Sequence, residues 1–308
     1  MNNFTHKVYL LTEYDELYKQ LLEEAALPAL EITESRSEAT ILLASPPMAA
    51  KCLDEFSNVE WIQSIYAGVD ALIPHLKEFA GELTNVKGIF GQQIAEYVLG
   101  YSIEYFRHFN HYRQQQSDLQ WQPKNYQSLA NKKMVILGTG TIGAHLANVA
   151  KSFAIEPIGV NRSGIPAKNS PFDATYHVHE LTTALKQADI VVNTLPNTPE
   201  TQDILNAESL SHCSQAILFN VGRGGAINED GLLLALESGH ISHAYLDVFK
   251  QEPLHESHPF WNHSAITVTP HIAALSFPEQ VVDIFKDNYL RWHDGFGLLN
   301  LVDISKGY

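Results

Sequence analysis

A chain of 308 residues is longer than one compact core usually spans, so two domains are expected. With 45% hydrophobic and 18% charged residues and no apolar run long enough to span a bilayer, the composition is that of a globular protein outside the membrane. Its 20 lysines and arginines stand against 35 aspartates and glutamates, and the net charge of −15 argues against nucleic acid as a partner.

Met1 to Lys7 lack the order of a secretory signal, and the only cysteines, Cys52 and Cys213, are far apart. Both are read as reduced core residues of a cytoplasmic protein. The runs KVYLL, ATILLA and VEWIQSI alternate with the helical patterns DELYKQLLEEA and PMAAKCLDEF, which predicts a parallel sheet crossed by helices. From Gln92, the segment QQIAEYVLGYSIEYFRHFNHYRQQ places Ile94, Val98, Tyr101 and Tyr105 on one face and predicts a helix linking two domains. Near this connection, His111 and Arg113 read as part of a solvated helix face and Trp121 as a packed aromatic.

A second series, MVILG, EPIGVN, DIVVNTL, AILFNVG, HAYLDVF and AITVTP, is mostly separated by helical patterns. The fold class is therefore α/β, with two doubly wound, Rossmann-like parallel-sheet domains. The cofactor domain is expected over 101–280, inserted in a substrate domain made of 1–100 and 281–308. The helical pattern PEQVVDIFKDNYLRWHDG would return to the first domain.

Gly138-Thr139-Gly140-Thr141-Ile142-Gly143 follows the strand MVILG and opens the pattern AHLANVAKSF. In that context Gly138 permits a tight turn, Gly140 lets a pyrophosphate approach the backbone, and Gly143 lets helix pack on strand. The helix N-terminus then offers N–H groups to the phosphates. At the end of the next strand, where NAD enzymes carry an acidic residue, stands Asn161, followed by Arg162 and Ser163. A neutral amide, a planar cation and a hydroxyl suit a 2′-phosphate, so NADPH is expected over NADH.

Ligands of open α/β sheets bind beyond the carboxyl ends of the strands. Three polar residues hold such positions: Arg223 after AILFN, Glu252 after HAYLDVF and His271 after AITVTP. Arg223 could hold a carboxylate and polarise a carbonyl, and His271 could donate a proton with Glu252 raising its pKa and fixing its tautomer. His255, His258 and His263 lie in the same region as His271, but their spacing forms no helical pair and no metal is expected.

These residues lie in five ordered blocks: Gly138 to Gly143, Leu195-Pro196-Asn197-Thr198-Pro199-Glu200-Thr201, Asn220 to Gly225, Asp247 to Leu254, and Thr269-Pro270-His271. From about Trp61 to Ala274 the chain resembles the D-isomer-specific 2-hydroxyacid dehydrogenases. Through Pro259-Phe260-Trp261 and Asn161-Arg162-Ser163 it looks most like their glyoxylate/hydroxypyruvate reductase A branch.

The resemblance implies that Arg223 binds substrate, Glu252 orients the histidine, and His271 is the acid in reduction of a small 2-keto acid. It implies that Asp247 contacts the nicotinamide carboxamide, and that Leu195, Pro196, Thr201, Val221 and Gly222 line the cofactor. Ala67 and Gly68, in Tyr66-Ala67-Gly68-Val69-Asp70, would meet the substrate carboxylate with backbone N–H groups. It also implies a homodimer and hinge closure before hydride transfer. Two alternatives are a dinucleotide-sensing regulator of corepressor type and another dehydrogenase of the family, such as a formate, phosphite or phosphoglycerate dehydrogenase.

Overall fold

A computed structural model describes residues 5–304, which divide into two compact units. One unit takes the described residues of Met1–Ile89 and Ser276–Tyr308; the other is Phe90–Leu275.

The first unit runs β1 (His6–Leu11), α1 (Asp15–Ala25), β2 (Leu30–Ile32), β3 (Ile41–Ala44), α2 (Pro46–Ala49), β4 (Trp61–Ser64) and β5 (Glu82–Thr84). Its strands are all parallel, in the order β2-β1-β3-β4-β5. Every residue of β3 and β4 is buried, as befits central strands covered on both faces. The helical pattern around Cys52 shortens to α2 and one 3₁₀ turn, Leu53–Glu55. Cys52 is only half-buried, against the core position expected of it, whereas Cys213 is buried.

The second unit opens with α3 (Phe90–Phe106) and α4 (Phe109–Ser117). It continues through β6 (Lys133–Leu137), α5 (Thr141–Lys151), β7 (Glu156–Asn161), β8 (Ala174–His177), α6 (Leu181–Leu185), β9 (Ile190–Asn193), α7 (Ala207–Leu210), β10 (Ala216–Asn220), α8 (Glu229–Glu237), β11 (Ile241–Leu246) and β12 (Ile266–Val268). The parallel sheet has the order β12-β11-β10-β9-β6-β7-β8, so the strand order reverses between β6 and β9. That reversal opens a crevice at the carboxyl ends of those strands. Alternate residues of β6 feed two cores: Val135 and Leu137 face one side, Met134 and Ile136 the other.

The expected linking helix is instead two helices, broken at His108, whose φ of 59° is left-handed. α3 does not link the units. Its Ile94, Ala95, Val98 and Leu99 are buried with Leu146, Ala147 and Ala150 of α5, so the whole helix packs into the second unit. The division thus falls at Ile89/Phe90 and Leu275/Ser276, where the sequence suggested 100/101 and 280/281. At the other end α9 (Pro278–His293) belongs to the first unit, with Phe285 stacked on Trp61 and the Tyr289 hydroxyl donating to the Pro28 carbonyl at 2.7 Å. Trp121 is 95% exposed, so it is not the packed aromatic its sequence neighbourhood suggested. Among the described residues no helix is long and apolar enough to cross a membrane.

Candidate active site

The turn from β6 to α5 has the glycine geometry that the sequence requires. Gly138 adopts φ 101°, and a Cβ there would meet the Thr194 hydroxyl at 2.6 Å. A Cβ on Gly143 would lie 2.0 Å from the Gly138 carbonyl oxygen. At Gly140 the added atom would meet nothing within 4 Å, so the backbone faces open space. α5 starts at Thr141 with no side chain capping its N-terminus, which leaves N–H groups for an anion. Thr139 and Ile142 complete the turn. These features fit the pyrophosphate of a dinucleotide.

Asn161, at the end of β7, builds the next turn. Its Nδ2 donates to the Thr139 hydroxyl at 3.0 Å and the Ile165 carbonyl at 3.1 Å. Its Oδ1 accepts from the backbone N–H of Ser163 at 3.0 Å and of Gly164 at 2.7 Å. The amide is thus a template for a tight turn that carries Arg162 and Ser163, both exposed. Glu200 lies within the field of Arg162. Its carboxyl is held below the ordinary range first by its own backbone N–H, then by Thr198, with Arg162 adding to both.

Two asparagines that the sequence reading passed over tie the crevice loops together. Asn193 ends β9 and Asn220 ends β10; both are buried, and Asn193 Nδ2 donates to Asn220 Oδ1 at 2.8 Å. Asn193 Oδ1 accepts from Leu195 N–H at 3.2 Å, while Asn220 Nδ2 donates to the Arg223 carbonyl at 3.1 Å. The only hint in the sequence is that IVVN and AILFN close apolar strands on the same amide. Pro196 is held by Thr201, whose hydroxyl donates to its carbonyl at 2.8 Å. Val221 and Gly222 lead into Arg223, whose Nη1 donates to the Gly222 carbonyl at 2.8 Å. A Cβ on Gly224 would lie 1.9 Å from the Phe249 carbonyl carbon, so this turn presses on the loop that carries Glu252.

Glu252 and His271 come together as the sequence placement suggested. His271 Nδ1 lies 2.7 Å from Glu252 Oε2, and Glu252 Oε1 accepts from Phe249 N–H at 2.9 Å. The hydrogen bond that His271 donates to Glu252 raises the pKa of His271 above its ordinary value and outweighs the opposing effect of burial. For Glu252 burial pushes upward, yet hydrogen bonds from His271 and Phe249 and the charge of Arg223 leave it below the ordinary carboxyl range. An apolar cavity of about 400 Å³ borders the pair, walled by Phe249, Leu254, Trp261 and Pro270. His255, His258 and His263 serve locally: His255 pairs with Ser257, His258 faces Glu229 at 3.5 Å, and His263 accepts from Ala265 N–H.

Asp247, 2% exposed, directs its carboxylate at the histidine segment. It accepts from the Thr269 hydroxyl at 2.6 Å, Ile272 N–H at 2.8 Å and Ala273 N–H at 2.9 Å. Ala67 and Gly68 lie in the first unit, in the turn after β4. There the Asn85 amide donates to the Ala67 carbonyl at 2.7 Å, and Ser64 Oγ bonds both polar backbone atoms of Tyr66.

Residues 99–273 match the family described as D-isomer specific 2-hydroxyacid dehydrogenase, NAD binding domain. The chain belongs to that family. It is 32% identical to the glyoxylate/hydroxypyruvate reductase A of Serratia proteamaculans, over 99% of each chain. That full-length likeness bears out the branch suggested by the sequence blocks. A D-isomer specific 2-hydroxyacid dehydrogenase family protein from Aeromonas salmonicida is similar in structure, with a TM-score of 0.92 and 41% identity over 97% of this chain and 99% of that one. A D-isomer specific 2-hydroxyacid dehydrogenase from Xanthobacter autotrophicus, solved in complex with NADPH and MES, has a TM-score of 0.87 and 28% identity over 99% and 100% of the two chains. This dehydrogenase is thus an NAD(P)-dependent oxidoreductase.

Proposed function

We propose that this dehydrogenase reduces a small 2-keto acid of the glyoxylate or hydroxypyruvate kind to the D-2-hydroxy acid, with NADPH preferred over NADH. The observation that carries the reading is the His271–Glu252 pair at 2.7 Å, with its raised histidine pKa, in the same unit as the glycine turn. A nicotinamide cofactor held by Gly138 to Gly143, with Leu195, Pro196, Thr201, Val221, Gly222 and Asp247 nearby, supplies the hydride.

The remaining steps belong to side chains of this protein. Arg223 holds the substrate carboxylate with paired N–H donors and draws charge toward the carbonyl oxygen. Ala67 and Gly68, in the first unit, are proposed to offer backbone N–H groups to a substrate carboxylate. Protonated His271, its Nδ1–H directed at Glu252, gives the proton on Nε2 to the carbonyl oxygen as that oxygen gains charge. The neutral imidazole left behind keeps its Nδ1–H on Glu252, so the ring stays oriented to take a proton back in the reverse direction.

Preference for NADPH rests on Arg162 and Ser163, presented by the Asn161 turn without an acidic residue at its start. The NADPH complex of the Xanthobacter relative supports this cofactor preference, and the name of the Serratia relative supports the substrate class. The protein is expected to act in the cytoplasm as a homodimer, and sedimentation of the purified chain tests the assembly. The decisive experiment follows loss of reduced-nicotinamide absorbance with NADPH and NADH against glyoxylate, hydroxypyruvate, pyruvate and phenylpyruvate. Oxidation of NADPH with glyoxylate and hydroxypyruvate, weakened by Arg162→Ala to the extent of roughly tenfold in the KM for NADPH, supports the reading. Cofactor binding without turnover of any keto acid overturns it in favour of a dinucleotide sensor.

A further inference from the structure

His271 occupies an awkward place. β12 ends at Val268, so the histidine lies beyond the sheet, and its φ of 55° is left-handed, which a non-glycine residue holds only when its surroundings impose it. Within its own strand neighbourhood the segment is held by Thr269 N–H on the Leu246 carbonyl at 3.0 Å, by His271 N–H on the Asp247 carbonyl at 2.9 Å, and by the Asp247 carboxylate.

A second set of restraints comes from α3, far away in sequence. Gln93 Nε2 donates to the Leu275 carbonyl at 2.9 Å, and Leu275 N–H donates to Gln93 Oε1 at 2.8 Å, so one side-chain amide clamps both polar atoms of that residue. One turn further along the same face, the Tyr97 hydroxyl lies 2.7 Å from Thr269 Oγ1. The Thr269 hydroxyl already donates to Asp247 at 2.6 Å, so Tyr97 must be the donor to Thr269. Burial pushes the Tyr97 phenol well above its ordinary pKa, which keeps it a donor throughout the working range. Edge-on contact with Tyr101 at 4.9 Å fixes the ring. The two α3 side chains therefore grip the catalytic segment on either side of His271, at Thr269 and at Leu275.

We infer that Gln93 and Tyr97 are positioning residues for the reduction: from α3 they hold the Thr269–Leu275 segment so that His271 meets Glu252 in line. The inference rests on the reading of His271 as the acid. Three charged groups set the titration of that imidazole: Glu252 and Asp247 favour the protonated form, and Arg223 opposes it. Of these, contact with Glu252 depends most on alignment.

Tyr97→Phe removes one oxygen, and Gln93→Leu removes the clamp while keeping much of its bulk. In purified enzyme with NADPH and glyoxylate, each is expected to lower kcat roughly ten- to a hundredfold with the KM for NADPH unchanged. Each also moves the alkaline limb of the pH profile to lower pH, because a misaligned imidazole loses the support of Glu252. NMR titration of the His271 ring reads the same shift without need of turnover. A variant that loses only melting temperature, with kcat and the His271 titration as in the parent, overturns the inference. If Gln93→Leu does not fold, Tyr97→Phe decides alone. His271→Ala separates the two levels of argument: full turnover in that variant sinks the proposed function, whereas an inactive His271→Ala beside an unaltered Tyr97→Phe sinks only the role of α3.

Discussion

The middle of β11 and the loop beyond β12 each carry a histidine, and the protein sets the two in opposite directions. The side chain of His243, half-buried on β11, lies 2.8 Å from the Thr267 hydroxyl, and burial, helped by His263, pulls its pKa down to about 4. His271 has Glu252 on its Nδ1 and is pushed up. Burial acts on both rings in the same sense, so the carboxylate makes the difference. Desolvation alone keeps an imidazole neutral, while an aligned anion makes it an acid that retains its proton nearer neutrality.

The largest test of this contrast is the removal of each ring in turn. His271→Ala is expected to cost roughly a hundred- to ten-thousandfold in kcat with NADPH affinity unchanged, as measured by cofactor titration. His243→Gln should leave kcat near the parent value, and comparable losses in both variants would erase the distinction. Next in size is Arg223→Ala, which should lower kcat/KM for the keto acid by roughly a hundred- to a thousandfold. Because the Arg223 charge opposes protonation of His271, the same variant should carry the alkaline limb of the pH profile to higher pH.

Glu252→Gln sharpens the comparison by making His271 more like His243. In the parent enzyme reduction should slow as pH rises through the raised pKa, because the proposed donor is the protonated ring. In Glu252→Gln that midpoint should move down to the ordinary histidine range or below it, with activity at neutral pH falling severalfold. A midpoint that stays where it was would show that Glu252 does not set it. The smallest effect concerns stability. His243 takes a proton in the unfolded chain near pH ~6.5 but in the fold only near 4, so the unfolded state binds protons first as pH falls. Stability is lost progressively over that window, and melting temperatures of His243→Gln should show a shallower acid slope than the parent.

Much of this was legible in the chain because strands and the proposed catalytic residues sit side by side in it. Apolar runs such as MVILG and AILFN mark central strands, and the first polar residue after each run marks the crevice. β2, β5 and β8 escaped because edge strands of three or four residues, such as ATYH at Ala174–His177, show neither length nor an apolar run. The break at His108 escaped because a left-handed residue other than glycine or asparagine leaves little trace in composition. What the sequence could not show at the site is its wiring. The Asn193–Asn220 hydrogen bond and the Gln93–Leu275 clamp join residues far apart in the chain, and no local pattern encodes such partners.

The turn built by Asn161 bears on redesign. Converting an NADPH enzyme to NADH by restoring an acid at the end of β7 looks like a one-atom exchange, Asn161→Asp. Here that exchange would keep the acceptor for Ser163 and Gly164 but delete the donor to Thr139 and Ile165, setting a carboxylate against a carbonyl oxygen 3.1 Å away. The turn would be obliged to reshape as its charge changed, so an engineered coenzyme switch in this protein calls for a new loop from Asn161 to Ile165 rather than a new residue.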